Sequence, residues 1–211
     1  MQNQHDAELR ALERRLKTTA GPAAAIPARL RQALAERASA EGLVDVAFER
    51  HASPLGTLLL GATAEGLVRV GLPNEGEEAV LDELARRISP RVLGAARAPL
   101  TEARRELDEY FAGRRRTFDV PLDWRLATGF RRAVLRAAAR IPYGRTASYG
   151  ALSAEAGSPA AFRAAGTALA HNPLPILVPC HRVLPAGGGL GGYRGGAAAK
   201  AQLLALEGAD I

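Results

Sequence analysis

The chain is poor in several residue types, and each shortage limits what it can do. It has one cysteine, Cys180, which excludes a disulfide or a CxxC metal or redox site within one chain. Its four scattered histidines and single cysteine do not supply a tetrahedral ligand set, so we expect no metal site. No run approaches the roughly eighteen apolar residues of a membrane span, and the polar N-terminus lacks a signal-peptide core. We therefore expect a cytoplasmic protein without a membrane partner, in which a free thiol stays reduced.

Acidic residues are scarce in the second part of the chain. Residues 124–211 carry ten basic and only three acidic side chains, whereas residues 1–123 carry 18 basic and 19 acidic ones. A basic region beside a nearly neutral one favours an acidic partner, and nucleic acid is the obvious class. Charge alone leaves a second interpretation open, a solvated surface in an arginine-rich composition, since 26 of the 28 basic residues are arginine.

Periodicity divides the chain into three parts. Leucines at helical spacing predict a helical N-terminal extension over residues 1–42. Alternating apolar residues followed by amphipathic helices predict a small α/β domain with an antiparallel sheet over residues 43–123. Residues 124–211 are mainly helical, with a short helix capped by Ser148, a glycine turn, and a second helix that opens at Pro159. That order is typical of a helix-turn-helix.

The surroundings of Cys180 distinguish it from a buried structural thiol, the usual state of a free cysteine. An apolar run between Pro175 and Pro179 predicts a strand that ends at Cys180. His181 follows directly, and a base or cation beside a thiol helps to form the thiolate, which is the nucleophile. Adjacent side chains on a strand point to opposite faces. Cooperation between Cys180 and His181 therefore requires a bridging water or a turn that begins at Cys180.

A carboxylate that holds the other imidazole nitrogen would complete a nucleophile–base–orienter set. The basic part offers three acids, Glu155, Glu207 and Asp210. Glu207 lies at the end of the final predicted helix, so we predict that it orients His181.

The segment from Asn172 to Val183 reads NPLPILVPCHRV. It resembles the active-site sequence of the methylated-DNA–protein-cysteine methyltransferases, the O6-alkylguanine-DNA alkyltransferases, and the resemblance covers roughly residues 43–208. It implies a ribonuclease-H-like N-terminal α/β domain and a winged helix-turn-helix C-terminal domain. It also implies DNA repair by direct reversal. The alkyl group of O6-alkylguanine, and more weakly of O4-alkylthymine, would pass irreversibly to Cys180 in one turnover, without a cofactor.

The same resemblance implies roles for individual residues. Cys180 would be the alkyl acceptor, His181 the base acting through water, and Glu207 the carboxylate that orients it. Asn172 would brace the turn, and Tyr149 would contact the flipped base. The residues implied in DNA or substrate binding are Ser148, Tyr149, Arg163, Val183, Tyr193 and Arg194.

The implied partner is double-stranded DNA with the lesion base flipped out, because O6 cannot be reached inside a duplex. The second helix of the helix-turn-helix is expected in the minor groove, since an enzyme that must reach any guanine gains nothing from major-groove readout. We expect a monomer; cooperative binding along DNA stays open.

Two positions depart from the family pattern. Phe162 replaces a small residue before Arg163, which leaves inward packing or a second wedge as alternatives. Arg194 stands where some relatives carry a hydroxyl residue that contacts O6. Two other functional classes also stay open: a hydrolase that uses Cys180, His181 and Glu207, and a protein that binds alkylated DNA without chemistry.

Overall fold

The computed structural model describes residues 30, 33–35, 37–38 and 41–209. The first six of these residues are helical, and most of the predicted 1–42 extension lies outside the described residues. From residue 41 onward the elements, in chain order, are β1 (Val46–Ser53), β2 (Gly56–Ala62), β3 (Leu67–Gly71), a 3₁₀ helix (Pro73–Glu75), α1 (Glu77–Arg87), β4 (Val92–Gly94), α2 (Ala98–Phe111), α3 (Gly129–Ala139), β5 (Ala147–Ser148), α4 (Tyr149–Glu155), α5 (Phe162–Ala170), a second 3₁₀ helix (Cys180–Arg182), β6 (Val183–Leu184) and α6 (Gly196–Leu206).

Strands β1 to β4 form one sheet in the order β3-β2-β1-β4. The β1–β2 hairpin closes with Ser53 opposite Gly56, and β3 pairs antiparallel with β2. The predicted antiparallel sheet is thus found for three strands. Strand β4 joins β1 in parallel, because helix α1 carries the chain back across the sheet before β4 begins.

Helices cover both faces of this sheet. Adjacent residues of β1 are fully buried on opposite faces: Val46 packs in a cluster with Leu84 of α1, and Ala47 in a cluster with Leu107 of α2. The cluster on the α2 side continues into the second half of the chain and includes Leu203 of α6. The sheet and the C-terminal helices therefore share one hydrophobic core.

Helices α3, α4 and α5 pack together and form the helix-turn-helix of the second half. The Ser148 hydroxyl accepts a hydrogen bond from the backbone N–H of Ala151 at 3.1 Å, which confirms the predicted cap of α4. The prediction that the next helix opens at Pro159 was wrong, since α5 begins at Phe162. The Ser153 hydroxyl donates to the carbonyl of Pro159 at 3.1 Å and holds that residue in the connecting turn.

The predicted strand before Cys180 was also wrong. Between Pro175 and Pro179 the described chain forms only one isolated bridge, from Pro175 to Val178. Pro175 and Pro179 have no backbone N–H to donate to a neighbouring strand. Ile176 has a φ of 76°, a left-handed conformation that is not found in a regular strand. The segment is a compact turn that delivers Cys180 to the start of a 3₁₀ helix.

No helix among the described residues is long and apolar enough to cross a membrane.

Candidate active site

Cys180 lies at the wall of a pocket of about 260 Å³. The side chain is buried, with 5% of its surface exposed, and it is the first residue of the 3₁₀ helix Cys180–Arg182. Gly166 of α5 and Tyr149 of α4 line the pocket on the helix-turn-helix side, and Tyr193 and Arg194 line it from the loop before α6. The thiol thus faces a cavity shared between the helix-turn-helix and this loop.

Asn172 fixes the turn that carries the thiol. Its fully buried side chain donates from Nδ2 to the carbonyl of Val178 at 2.9 Å and lies 3.2 Å from the Cys180 Sγ. Its Oδ1 accepts the backbone N–H of Leu174 at 2.9 Å. The amide therefore ties both ends of the proline-bounded turn together and points a donor at the sulfur.

His181 and Glu207 form a buried pair behind the thiol. The His181 Nε2 lies 2.9 Å from the Glu207 Oε1, and both side chains have no exposed surface. Burial lowers the pKa of His181, although Glu207 acts in the opposite direction, so the ring is neutral near pH 7. An ionised Glu207 requires the single ring proton on Nε2. The lone pair then lies on Nδ1, a buried atom with no protein hydrogen-bond partner among the described residues.

Glu207 receives hydrogen bonds from four residues at once. Its donors are His181 Nε2, Arg182 Nε and Nη2 at 2.8 Å each, the Tyr110 hydroxyl at 2.7 Å, and the Gly144 backbone N–H at 3.3 Å. Burial opposes ionisation of this carboxyl, but the bonds from His181 and Arg182 outweigh it and lower its pKa far below the usual range. Glu207 is thus a fixed anion, and Arg182 is its bidentate counter-ion.

The resting thiol is protonated. Burial raises the pKa of Cys180, while the Asn172 hydrogen bond and the nearby Lys200 ammonium act to lower it. Lys200 is fully buried, and its Nζ donates to the carbonyl of Val183 at 2.8 Å. A reaction at this sulfur therefore needs a group that removes the proton, and the Nδ1 lone pair of the adjacent His181 is suited to it.

The loop that covers the pocket is joined to the N-terminal sheet by charge. We call residues 187–195 the lid loop. Arg194 donates from Nε to the Glu75 Oε2 at 2.6 Å, and the same carboxylate pairs with the buried Arg69 of β3. The Asn74 amide donates to the carbonyl of Arg194 at 2.8 Å. The lid loop is therefore held to the 3₁₀ helix Pro73–Glu75 through both a side chain and its backbone.

The remaining predicted residues lie in different surroundings. Tyr193 is half-buried, and its ring packs edge-on to His181 with centroids 6.3 Å apart. Its hydroxyl oxygen is buried, and this burial raises the pKa of the hydroxyl well above 10.0. Arg163 lies exposed in the first turn of α5, outside the set that lines the pocket. Ser148 caps α4 and Val183 pairs with Ala147, so both set the approach of α4 to the cysteine turn.

Among the residues that contact this machinery, sequence reasoning missed Tyr110, Glu75 and Lys200. Tyr110 and Glu75 come from the N-terminal half, about 97 and 119 positions from the Glu207 and Arg194 that they contact. No spacing rule connects residues so distant. The sequence did mark Lys200 as unusual. It is one of two lysines among 28 basic residues, and it follows three alanines in a predicted helix that has few polar residues.

Comparison with known proteins gives the same family for both halves of the chain. The family model of the 6-O-methylguanine DNA methyltransferase ribonuclease-like domain matches residues 43–124, and the model of its DNA binding domain matches residues 129–209. The inducible methylated-DNA–protein-cysteine methyltransferase of Bacillus subtilis is 39% identical over 148 residues, which cover 70% of this chain and 82% of that protein.

Two mycobacterial proteins extend the comparison. The methylated-DNA–protein-cysteine methyltransferase of Mycolicibacterium paratuberculosis is 52% identical over 102 residues, 48% of this chain and 61% of that relative. The crystal structure of Mycobacterium tuberculosis OGT in complex with DNA has a TM-score of 0.66 and 37% identity, over 77% of this chain and 92% of that one. The two family models match in order and together cover more than half of the chain, so the chain belongs to the 6-O-methylguanine DNA methyltransferase family.

Proposed function

We propose that this chain repairs DNA by direct reversal, as a methylated-DNA–[protein]-cysteine S-methyltransferase that acts once. The observation that carries the proposal is the Cys180 sulfur in the wall of a pocket, backed by the buried His181–Glu207 pair. A structural cysteine needs neither a cavity nor a neutral imidazole with an unpartnered nitrogen. The substrate is O6-alkylguanine in DNA, with O4-alkylthymine a weaker one.

The chemical step is an in-line displacement at the alkyl carbon. The sulfur–carbon bond of a thioether forms as the carbon–O6 bond of the guanine breaks. The thiol proton passes to the His181 Nδ1 through a water molecule, and the imidazolium then gives up that proton, through water, to the departing guanine. Glu207 keeps the imidazole in the tautomer with Nδ1 free and stabilises the imidazolium when it forms. The thioether is stable, so each chain turns over once.

Access to O6 requires the lesion base to leave the duplex, at a cost of a few kcal/mol. In the proposal α5 lies in the minor groove and Arg163 occupies the space that the base leaves. Tyr149, Tyr193 and the main chain at Val183 enclose the extruded guanine in the pocket. Ser148 and Arg194 contact the DNA or the substrate at the rim of the pocket. The protein acts as a monomer, with residues 43–123 as a supporting domain and residues 124–211 as the DNA-binding and acceptor domain.

Intact-protein mass spectrometry tests the proposal directly. The chain is mixed with a short duplex that carries one O6-methylguanine, and the expected result is one added CH₂ unit per chain, mapped to Cys180. Transfer is expected to stop at one equivalent however much substrate is present.

The control is Cys180→Ala, which keeps the pocket and removes the acceptor. Methyl removal by that variant would refute the assignment of Cys180. Binding to the lesion duplex without any mass gain by the unaltered chain would instead indicate a protein that flags alkylated DNA, and turnover on an acyl substrate would indicate the hydrolase.

A further inference from the structure

Phe162 is an apolar side chain in an unexpected place. It is the first residue of α5, and 48% of its surface is exposed. The other large hydrophobic residues exposed to this degree in the described part of the chain are leucines. Of the two alternatives left open by the sequence, inward packing is therefore excluded.

The helix places this ring on the pocket side of α5. Gly166 and Ala170 line the pocket, and they follow Phe162 by four and eight residues. Residues four apart lie on the same side of a helix, one turn after another. With a rise of about 1.5 Å per residue, the Phe162 backbone is about 6 Å along the axis from Gly166. Phe162 therefore lies one helical turn before the pocket-lining Gly166, on the same side of α5.

The ring also holds the neighbouring arginine. The Arg163 guanidinium carbon lies 5.5 Å from the centroid of the Phe162 ring, within the range of a cation–π contact. Consecutive helical residues do not ordinarily face each other, so the arginine side chain must turn back to make this contact. The Arg163 guanidinium therefore lies over the face of the Phe162 ring, at the N-terminal end of α5.

From this geometry we infer that Phe162 and Arg163 act together as a stacked two-part wedge, with Phe162 as a positioning residue for base extrusion. When the lesion base enters the pocket, the ring stacks on an exposed base face at the vacated step. Base–aromatic stacking is favourable and tolerant of sequence, because every base has a π-face. The same ring keeps the guanidinium directed at the gap. This inference rests on the proposed function.

The test compares alkyl transfer from three substrates: a duplex containing O6-methylguanine, the same strand alone, and the free base O6-benzylguanine. The free base enters the pocket without any extrusion. We expect Phe162→Ala to lower the rate on duplex about tenfold, the factor that corresponds to about 1.4 kcal/mol, and to leave the free-base rate unchanged. Phe162→Leu keeps apolar bulk without a π-face and is expected to lose most of the duplex rate as well.

The matched control is Leu93→Ala, which removes another exposed apolar side chain, on β4 of the N-terminal sheet. It is expected to react with all three substrates like the unaltered chain. An unchanged duplex rate in Phe162→Ala would overturn the wedge, and so would an equal loss on duplex and free base, which would mean a role in pocket structure. A chain without alkyl transfer from any substrate would overturn the proposed function itself.

Discussion

At the scale of single residues, the hydrogen bonds around Glu207 decide where the proton of His181 lies. Arg182 neutralises the carboxylate through two bonds of 2.8 Å, and Tyr110 occupies a further lone pair. Glu207 therefore has no tendency to take the imidazole proton, and it holds that proton on Nε2. The consequence is a neutral ring whose free nitrogen can accept the thiol proton.

We expect His181→Ala to slow alkyl transfer at pH 7 by about 10²–10⁴-fold, the usual contribution of a general base. Because burial raises the thiol pKa, the rate of this variant should climb with pH as Cys180 ionises unaided. In the unaltered chain the His181 pKa is lowered from 6.5, so the rate should hold at pH 6.5 and fall only in more acidic solution. Second-order rate constants with free O6-benzylguanine between pH 5 and 10 measure both profiles.

The control is His171→Ala, which removes an exposed histidine whose ring is hydrogen-bonded to the backbone carbonyl of Thr167. Its profile should match that of the unaltered chain. Parallel profiles for His181→Ala and the unaltered chain would show that His181 does not handle the proton.

At the scale of elements, two short 3₁₀ helices position the site. The helix Cys180–Arg182 presents the thiol to the pocket and turns His181 back toward α6. The helix Pro73–Glu75 holds the lid loop, because Glu75 bridges Arg194 of the loop and Arg69 of the sheet. The room available to the alkyl group thus depends on an element from the other half of the chain.

We expect Arg194→Ala to loosen the lid loop, which then keeps only the backbone hydrogen bond from Asn74, and to favour larger alkyl groups. The ratio of benzyl to methyl transfer rates should rise about tenfold, at the low end of what methylene-scale changes in a pocket produce. Glu75 keeps its pairing with Arg69 in this variant, so the sheet should remain intact. Competition between O6-benzylguanine and O6-methylguanine in the same duplex sequence measures the ratio.

Arg91→Ala serves as the control, since it removes a surface ion pair with Asp45. This exposed ion pair should contribute little to stability, and the ratio of benzyl to methyl transfer rates should stay the same. A ratio that stays constant in Arg194→Ala would mean that the lid loop does not set alkyl size.

At the scale of the whole molecule, the two halves are joined through the site itself. Tyr110, at the C-terminal end of α2, is fully buried and donates to Glu207 just after α6. Its ring packs against Phe118 and Tyr143. The N-terminal domain therefore contributes a donor to the carboxylate that orients the proposed base, besides closing the core.

Tyr110→Phe removes a buried hydrogen bond to a charged group. We expect the free energy of unfolding to fall by about 2 kcal/mol, within the range for such bonds. Tyr143→Phe is the matched control: its hydroxyl donates to the neutral carbonyl of Leu206 at 2.9 Å, and its loss should cost about 1 kcal/mol. Urea unfolding of both variants gives the comparison. A smaller cost for Tyr110→Phe than for Tyr143→Phe would contradict the coupling of the two halves through Glu207.

The predictions from sequence succeeded where a pattern is local. The Ser148 cap and the final helix that leads to Glu207 both lie in segments that their own residues specify: a capping hydroxyl begins α4, and α6 is a run of strong helix formers, mainly alanine and leucine. The start of α5 was misplaced because Pro159 satisfies the rule for a helix start but is held in a turn by Ser153. An apolar run was mistaken for a strand because apolarity alone does not show whether a neighbouring strand is available.

By itself, the sequence determined the chemistry available at the centre: a lone thiol followed by an imidazole, with few acids nearby and many arginines. Contiguous residues and local propensities carry that information. Only the tertiary structure decided which distant residues meet there. Tyr110 reaches Glu207, Glu75 holds Arg194, and Phe162 is left exposed beside the pocket because long-range packing of the helices on the sheet, rather than any local rule, sets those contacts.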